Sequence, residues 1–190
     1  PQWTLATLKN GRPKFRNINS VSKNVTVGTR VGQFRREAGR GHFDWNFLRE
    51  LRAQWPHKLI LKGVMCAEDA RNAVDAGADA VYVSNHGGRQ LDSAPPAISM
   101  LPLIREALGP EYPIVFDSGV RSGEDIVRTL ASGAGFVMLG RPFLYALGAG
   151  GAGGLSQLLS LLMNELSTVM AQLGCTRTAQ LDGAVRALLR

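Results

Sequence analysis

Cysteine is scarce. Cys66 and Cys175 are the two in 190 residues, and their spacing is not that of a metal site. They read as reduced thiols of a cytosolic protein, with a single disulfide as the alternative, and no metal is expected. No uninterrupted run of about 18 apolar residues occurs, so no membrane span is expected. The chain opens Pro1-Gln2-Trp3, without a basic start and a following apolar stretch, so no secretory leader is expected. It lacks an initiator Met, and the natural N-terminus is expected upstream. Aromatic residues make up 7% and form no stacking platform, so nucleic acid is not an expected partner.

Basic residues, by contrast, are in excess: 22 Lys and Arg against 15 Asp and Glu, a net charge of +7. An excess of this sign favours anionic partners, a phosphate cofactor, a carboxylate substrate, an acidic membrane surface or nucleic acid, and charge alone does not choose among them. The excess is concentrated in residues 1–44, where Lys9, Arg12, Lys14, Arg16, Lys23, Arg30, Arg35, Arg36 and Arg40 face only Glu37 and Asp44. Apolar periodicity is poor there, and the segment reads as a long loop or a partly disordered segment.

Residues 45–190 are regular. A helix is predicted over Trp45–Gln54 with Asp44 as its N-cap. Four short apolar runs follow: Lys58–Lys62, Ala80–Ser84, Ile114–Asp117 and Gly135–Gly140. Each reads as a strand buried on both faces. Helical patterns over about 67–76, 98–108, 123–132 and 153–173 separate and follow them. Asp75-Ala76-Gly77-Ala78-Asp79 and Ala131-Ser132-Gly133-Ala134-Gly135 are alike, each with a glycine ending a helix ahead of a strand. Alternation of this kind predicts an α/β protein with a parallel sheet. Four units are half of an eight-fold (β/α)8 barrel, the TIM barrel. A flavodoxin-like open sheet is the alternative, but no Gly-rich phosphate loop follows the first strand. Four strands alone leave open edges. The chain is therefore expected to supply the last four βα units, with an N-terminal half of the barrel as its partner.

Parallel barrels carry their active sites at the carboxyl ends of the strands. Those ends are Lys62-Gly63, Ser84–Asp92, Asp117–Gly123 and Gly140-Arg141-Pro142, all polar, charged or glycine-rich. The last two suit a phosphate: glycines admit backbone N–H groups, and Arg121 and Arg141 add bidentate charge. Ordinary turns with solvated arginines are the alternative. His86 is the histidine at a strand end, suited to proton abstraction, and Arg89 is suited to a carboxylate. A structural histidine is the competing reading. Lys62 would serve a Schiff base, a phosphate or an anionic cofactor, unless it merely caps the strand.

The nonapeptide Ser84-Asn85-His86-Gly87-Gly88-Arg89-Gln90-Leu91-Asp92 resembles the signature of the FMN-dependent α-hydroxyacid dehydrogenases and oxidases, which include L-lactate dehydrogenase, mandelate dehydrogenase and glycolate oxidase. Leu61-Lys62-Gly63, Asp117–Gly123 and Leu139-Gly140-Arg141-Pro142 resemble its other motifs in the same order. The resemblance covers about residues 45–175. It implies FMN as cofactor, His86 as catalytic base and Arg89 as the substrate carboxylate anchor. It implies Lys62 and Ser84 beside the flavin ring, Asp117 on the ribityl arm, and Ser118, Gly119, Arg121, Gly140 and Arg141 around the phosphate. The reaction implied is oxidation of a lactate- or mandelate-like L-2-hydroxy acid to the 2-oxo acid, by a homo-oligomer, commonly a tetramer. Glu124 departs from the family's small hydroxyl residue and is expected to point away. Gly148–Gly154 is richer in glycine than is usual there.

Electrons would pass to a quinone or another acceptor, or, in an oxidase, to oxygen. The basic opening segment suggests a cytoplasmic protein attached peripherally to the inner face of the cell membrane, with a solvated loop as the alternative. An inactive half-barrel or interaction module is the reading from another class.

Overall fold

A computed structural model describes residues 2–11 and 43–188. Most of the basic segment, residues 12–42, lies outside the described residues. The chain divides into two compact units between Phe47 and Leu48. In the first, a nine-residue helix, α1 (Gln2–Asn10), occupies part of the stretch read from sequence as loop. Asp44 caps α2 (Trp45–Gln54), the next helix among the described residues, by accepting from the Phe47 N–H at 2.8 Å, as its position in the sequence suggests.

The second unit is built on four parallel strands. These are β1 (Ile60–Val64), β2 (Ala80–Val83), β3 (Ile114–Phe116) and β4 (Phe136–Val137). They are joined by α3 (Ala67–Asp75), α4 (Ala97–Leu108) and α5 (Gly123–Ala131), and followed by α6 (Arg141–Gln172) and α7 (Gly183–Leu188). The spatial order is β1-β2-β3-β4 without reversal. A doubly wound sheet reverses its order at the ligand site; a barrel does not. The open-sheet alternative is thereby set aside.

Local chemistry sets the boundaries. Ser122 and Asp125 form a capping box at the start of α5. Gly77, Gly133 and Gly174 take positive φ just past α3, α5 and α6. The next residues, Ala78, Ala134 and Cys175, return hydrogen bonds to Ala73, Thr129 and Met170. This is the glycine stop anticipated for two of the three.

One face of the sheet is packed. Val81, Val83, Ile114 and Phe116 are buried with Ala70, Ala73, Leu101, Ile104 and Val127. The strand pairing explains how β1 joins this layer. Leu61 pairs with Val81 and Val64 with Val83, with a shift between Lys62 and Val64. Gly63, at φ +97°, is the extra residue. Such a bulge returns Val64 to the helix side while Lys62 stays on the other.

Burial on both faces, expected for every strand, is not met: even in the central pair Tyr82 and Val115, on the side away from the helices, are only partly buried. Ile60 is 49% exposed and Phe136 60%. β1 and β4 are the sheet edges, and no further strand or opposing layer covers their other face among the described residues.

α6 is long and apolar enough to cross a membrane by length and composition, which corrects the exclusion drawn from uninterrupted runs; its window tolerates interspersed Gly, Ser and Gln. It bends at Gly151, whose φ of 57° and ψ of −141° are not helical. Beyond the bend it packs on α5: Leu166, Val169, Met170 and Leu173 lie against Val127 and Ala131. The two cysteines are free thiols.

Candidate active site

The four strand tips meet at one cleft of about 200 Å³. Its walls include Lys62, His86, Arg89, Asp117, Ser118, Gly119, Arg121, Gly140 and Arg141. Ser84, the remaining residue singled out in the sequence, is 3% exposed and lies beneath this surface, bonded to Lys62. The sequence motifs, up to 79 positions apart, are therefore brought together.

Side-chain hydrogen bonds tie the tips to one another. Lys62 Nζ donates to Ser84 Oγ at 2.7 Å and to Asp117 Oδ2 at 3.0 Å, joining β1 to β2 and β3. Ser118 Oγ donates to Asp117 Oδ1 at 2.8 Å and accepts the Gly87 N–H at 3.1 Å. Ser84 Oγ also accepts the His86 N–H at 3.1 Å. Arg141 donates to the Gly87 carbonyl, linking the last tip to the second. Gly87 leaves room for this contact, since a Cβ there would stand 3.1 Å from Arg141 Nη2.

Backbone strain is concentrated here. His86 and Ser118 have φ of 59° and 87°, a region L-residues seldom occupy. Each is held by the hydrogen bonds just described, and strain of this kind is characteristic of functional sites. Asn85 fixes the rest of the β2 tip: its side chain accepts from Gly88 N at 3.3 Å and donates to Pro95 O at 3.2 Å.

Asp117 is the electrostatic centre. Burial raises its pKa, but the donors around it, Ser84, Lys62, Ser118 and Tyr82, outweigh burial and hold it below the usual carboxylate value. It is therefore ionised at neutral pH and pairs with the Lys62 ammonium.

One end of the cleft fits a phosphate. A Cβ on Gly119 or Gly140 would meet no atom within 4 Å, so both backbones front open space. Arg121 and Arg141 line the same cleft, α5 begins two residues after Arg121, and α6 begins at Arg141. Glycine backbone, two guanidiniums and helix amino ends form a donor set suited to a dianion. Lys62 adds a third cationic side chain to the cleft lining. Glu124 turns to Arg128 at 2.9 Å and stays out of the cleft.

Several participants were not legible in the sequence. Tyr82 donates to Asp117 Oδ2 at 2.9 Å; its place two residues before Ser84, on the same strand face, was the available signal. Glu165 accepts the Gly123 N–H at 2.7 Å from 42 residues away, which no local pattern announces. Met138 and Leu144 add apolar surface to the cleft.

Sequentially ordered parallel strands with a basic, glycine-rich cleft at their carboxyl ends are the arrangement of a βα-barrel protein. The chain belongs to the FMN-dependent dehydrogenase family, whose pattern matches residues 1–187. FMN is the cofactor of that family, and its fold is the TIM barrel. The chain is 41% identical to (S)-mandelate dehydrogenase of Pseudomonas putida over 177 residues, covering 92% of this chain and 44% of that protein. It is 43% identical to L-lactate dehydrogenase of Caulobacter sp. (strain K31) over 191 residues, covering 98% and 50%. Among solved structures, the monotopic membrane protein (S)-mandelate dehydrogenase superposes with a TM-score of 0.88 at 40% identity, over 96% of this chain and 48% of that one. The chain thus spans about half the length of the curated relatives it matches.

Proposed function

We propose that the protein oxidises an L-2-hydroxy acid, lactate- or mandelate-like, to its 2-oxo acid with FMN. The observation that carries this reading is the convergence of Lys62, His86 and Arg89 on the same cleft as Arg121 and Arg141. Bound FMN would supply the two-electron acceptor. Ser118, Gly119, Arg121, Gly140 and Arg141 would hold its phosphate, and Asp117 its ribityl arm. Lys62, bonded to Ser84, would place positive charge at the ring edge where reduction leaves negative charge.

Arg89 would anchor the substrate carboxylate by a two-pronged contact. His86, on the strained β2 tip, would take a proton from the hydroxy acid. The hydrogen bond from its backbone N–H to Ser84 fixes where that tip stands relative to Lys62. Residues 1–44 are a basic segment, and residues 45–190 are a barrel half that pairs with four further βα units. Relatives named as lactate and mandelate dehydrogenases support the substrate class.

The test is stopped-flow bleaching of the flavin with a panel of 2-hydroxy acids. His86→Gln should retain FMN and lose fast reduction, and Arg89→Met should weaken both substrate binding and reduction. A fully active His86→Gln protein contradicts the assignment of the base. A second reading, reoxidation by oxygen, is favoured by the match to mandelate oxidase, with a TM-score of 0.68 at 43% identity. Peroxide yield under air, against reduction of a quinone analogue, separates the two.

The net charge of +7 and the monotopic relative support peripheral attachment to an anionic membrane, on the cytoplasmic side. Pelleting with vesicles should then rise with acidic lipid content. A homo-oligomer, as a tetramer, is the expected assembly and is checked by light scattering.

A further inference from the structure

Directly beneath the cleft lies a polar residue that the reaction above does not use. Tyr82 on β2 pairs with Lys62 across the β1–β2 ladder, so the two share a face. Its hydroxyl donates to Asp117 Oδ2 at 2.9 Å, and Lys62 Nζ reaches the same oxygen at 3.0 Å. The ammonium also sits 4.1 Å from the centroid of the Tyr82 ring. The Lys62 charge is thus held between a carboxylate oxygen, the Ser84 hydroxyl and an aromatic face, and Tyr82 supplies one of these and controls another.

An apolar side chain would fill this layer without needing a partner for a hydroxyl. We propose that Tyr82 is a positioning residue which fixes Lys62 and limits how far Asp117 neutralises it, and so sets the redox potential of a flavin bound in the cleft. The inference rests on the flavoenzyme reading above. A carboxylate oxygen that accepts a phenol O–H spreads its charge into that bond and has less to give its cation. Without the phenol, Asp117 Oδ2 would keep Lys62 alone. The ion pair would tighten, and less positive charge would reach the ring edge. Reduction leaves negative charge there, so the oxidised form would gain relative to the reduced one. Burial first, then the hydrogen bond and the charge of Asp117, push the phenol above the usual tyrosine pKa, so it remains a donor.

The decisive measurement is the flavin midpoint potential of the purified holoenzyme, equilibrated against a reference dye. Tyr82→Phe keeps the ring and removes the hydroxyl. It should retain FMN while its equilibrium constant for two-electron reduction falls about tenfold, or about 30 mV toward the negative. Tyr112→Phe is the control: its hydroxyl bonds to Ala78 O, ahead of β2 and at the far end of the sheet from the cleft. It should leave the potential unchanged. An unchanged potential in Tyr82→Phe, or equal shifts in both variants, would overturn the proposal.

If the wild-type protein carries no FMN, the flavoenzyme reading itself fails, and that outcome is distinct. The contact can still be read from a near-ultraviolet pH titration of wild type minus Tyr82→Phe. A phenol that ionises only above the usual tyrosine range supports the positioning role, and one that ionises within it removes that role.

Discussion

Asp79, at the opposite end of β2 from the cleft, gathers three donors. It accepts from Leu59 N, Lys58 Nζ and Arg52 Nη1, each at 2.9 Å. The Leu59 N–H leads and Lys58 follows; together with Arg52 they bring its pKa from 3.8 to about 2, against a smaller effect of burial. A carboxylate depressed in the folded state stabilises it above the unfolded pKa. That contribution fades as pH falls from 3.8 toward 2. Asp79→Asn should therefore lower the urea midpoint at pH 7. The two proteins should converge as the pH approaches about 2. A gap that persists at the acid end would mean that the lost interaction is not electrostatic. His86 and Ser118 make the complementary point: their positive φ costs roughly 1–3 kcal/mol each, offset by hydrogen bonds that only the assembled tips provide.

At the scale of elements, two arginines repeat one device. Arg52 of α2 donates to the Gly77 carbonyl and packs where a Gly77 Cβ would lie, 2.9 Å away. Arg105 of α4 does the same at Gly133, 2.7 Å away, and its guanidinium also donates to the carbonyls of Gly109, Pro110 and Tyr112. The two similar glycine turns noticed in the sequence thus share a plug from the preceding helix. A tighter junction lies at Gly123, where a Cβ would fall 2.3 Å from the Leu166 backbone nitrogen. Gly123→Ala must push α6 off α5, and overpacking of this kind costs typically 1–3 kcal/mol. Thermal unfolding should show the loss. Gly119→Ala, which meets no atom within 4 Å, should cost only the strain of its φ of +92°.

The sequence and the structure part company for reasons visible in these elements. Parallel strands announce themselves as short apolar runs, and their tips as glycine and charge, so the four strands and the cleft residues were readable. Tyr82 was not, because a tyrosine in an apolar run looks like core until its hydroxyl is seen to need Asp117. α1 was missed because nine residues with little amphipathic pattern lie in a polar, basic stretch. The bend at Gly151 and the approach of Gly154 to the Ala146 carbonyl, where a Cβ would be 2.2 Å away, give the glycine run a role that composition alone left open.

At the scale of the molecule, the packed and open faces of the sheet differ in what they ask of the surroundings. Val81, Val83, Ile114 and Phe116 are covered by helices, whereas Ile60, Phe136 and Met138 stand exposed on the face that a barrel would enclose. The outer rows of backbone donors and acceptors on β1 and β4 meet no strand among the described residues. Open edges flanking an apolar face are a template for pairing with another chain. Expressed as these 190 residues alone, the chain should therefore self-associate, with apparent mass rising with concentration in light scattering. Co-expression with four N-terminal βα units of a relative should suppress that association, because closing the barrel removes both edges at once. A chain that stays monomeric by itself and binds FMN tightly would show that four strands suffice, and that the exposed face is stable against water without an opposing layer.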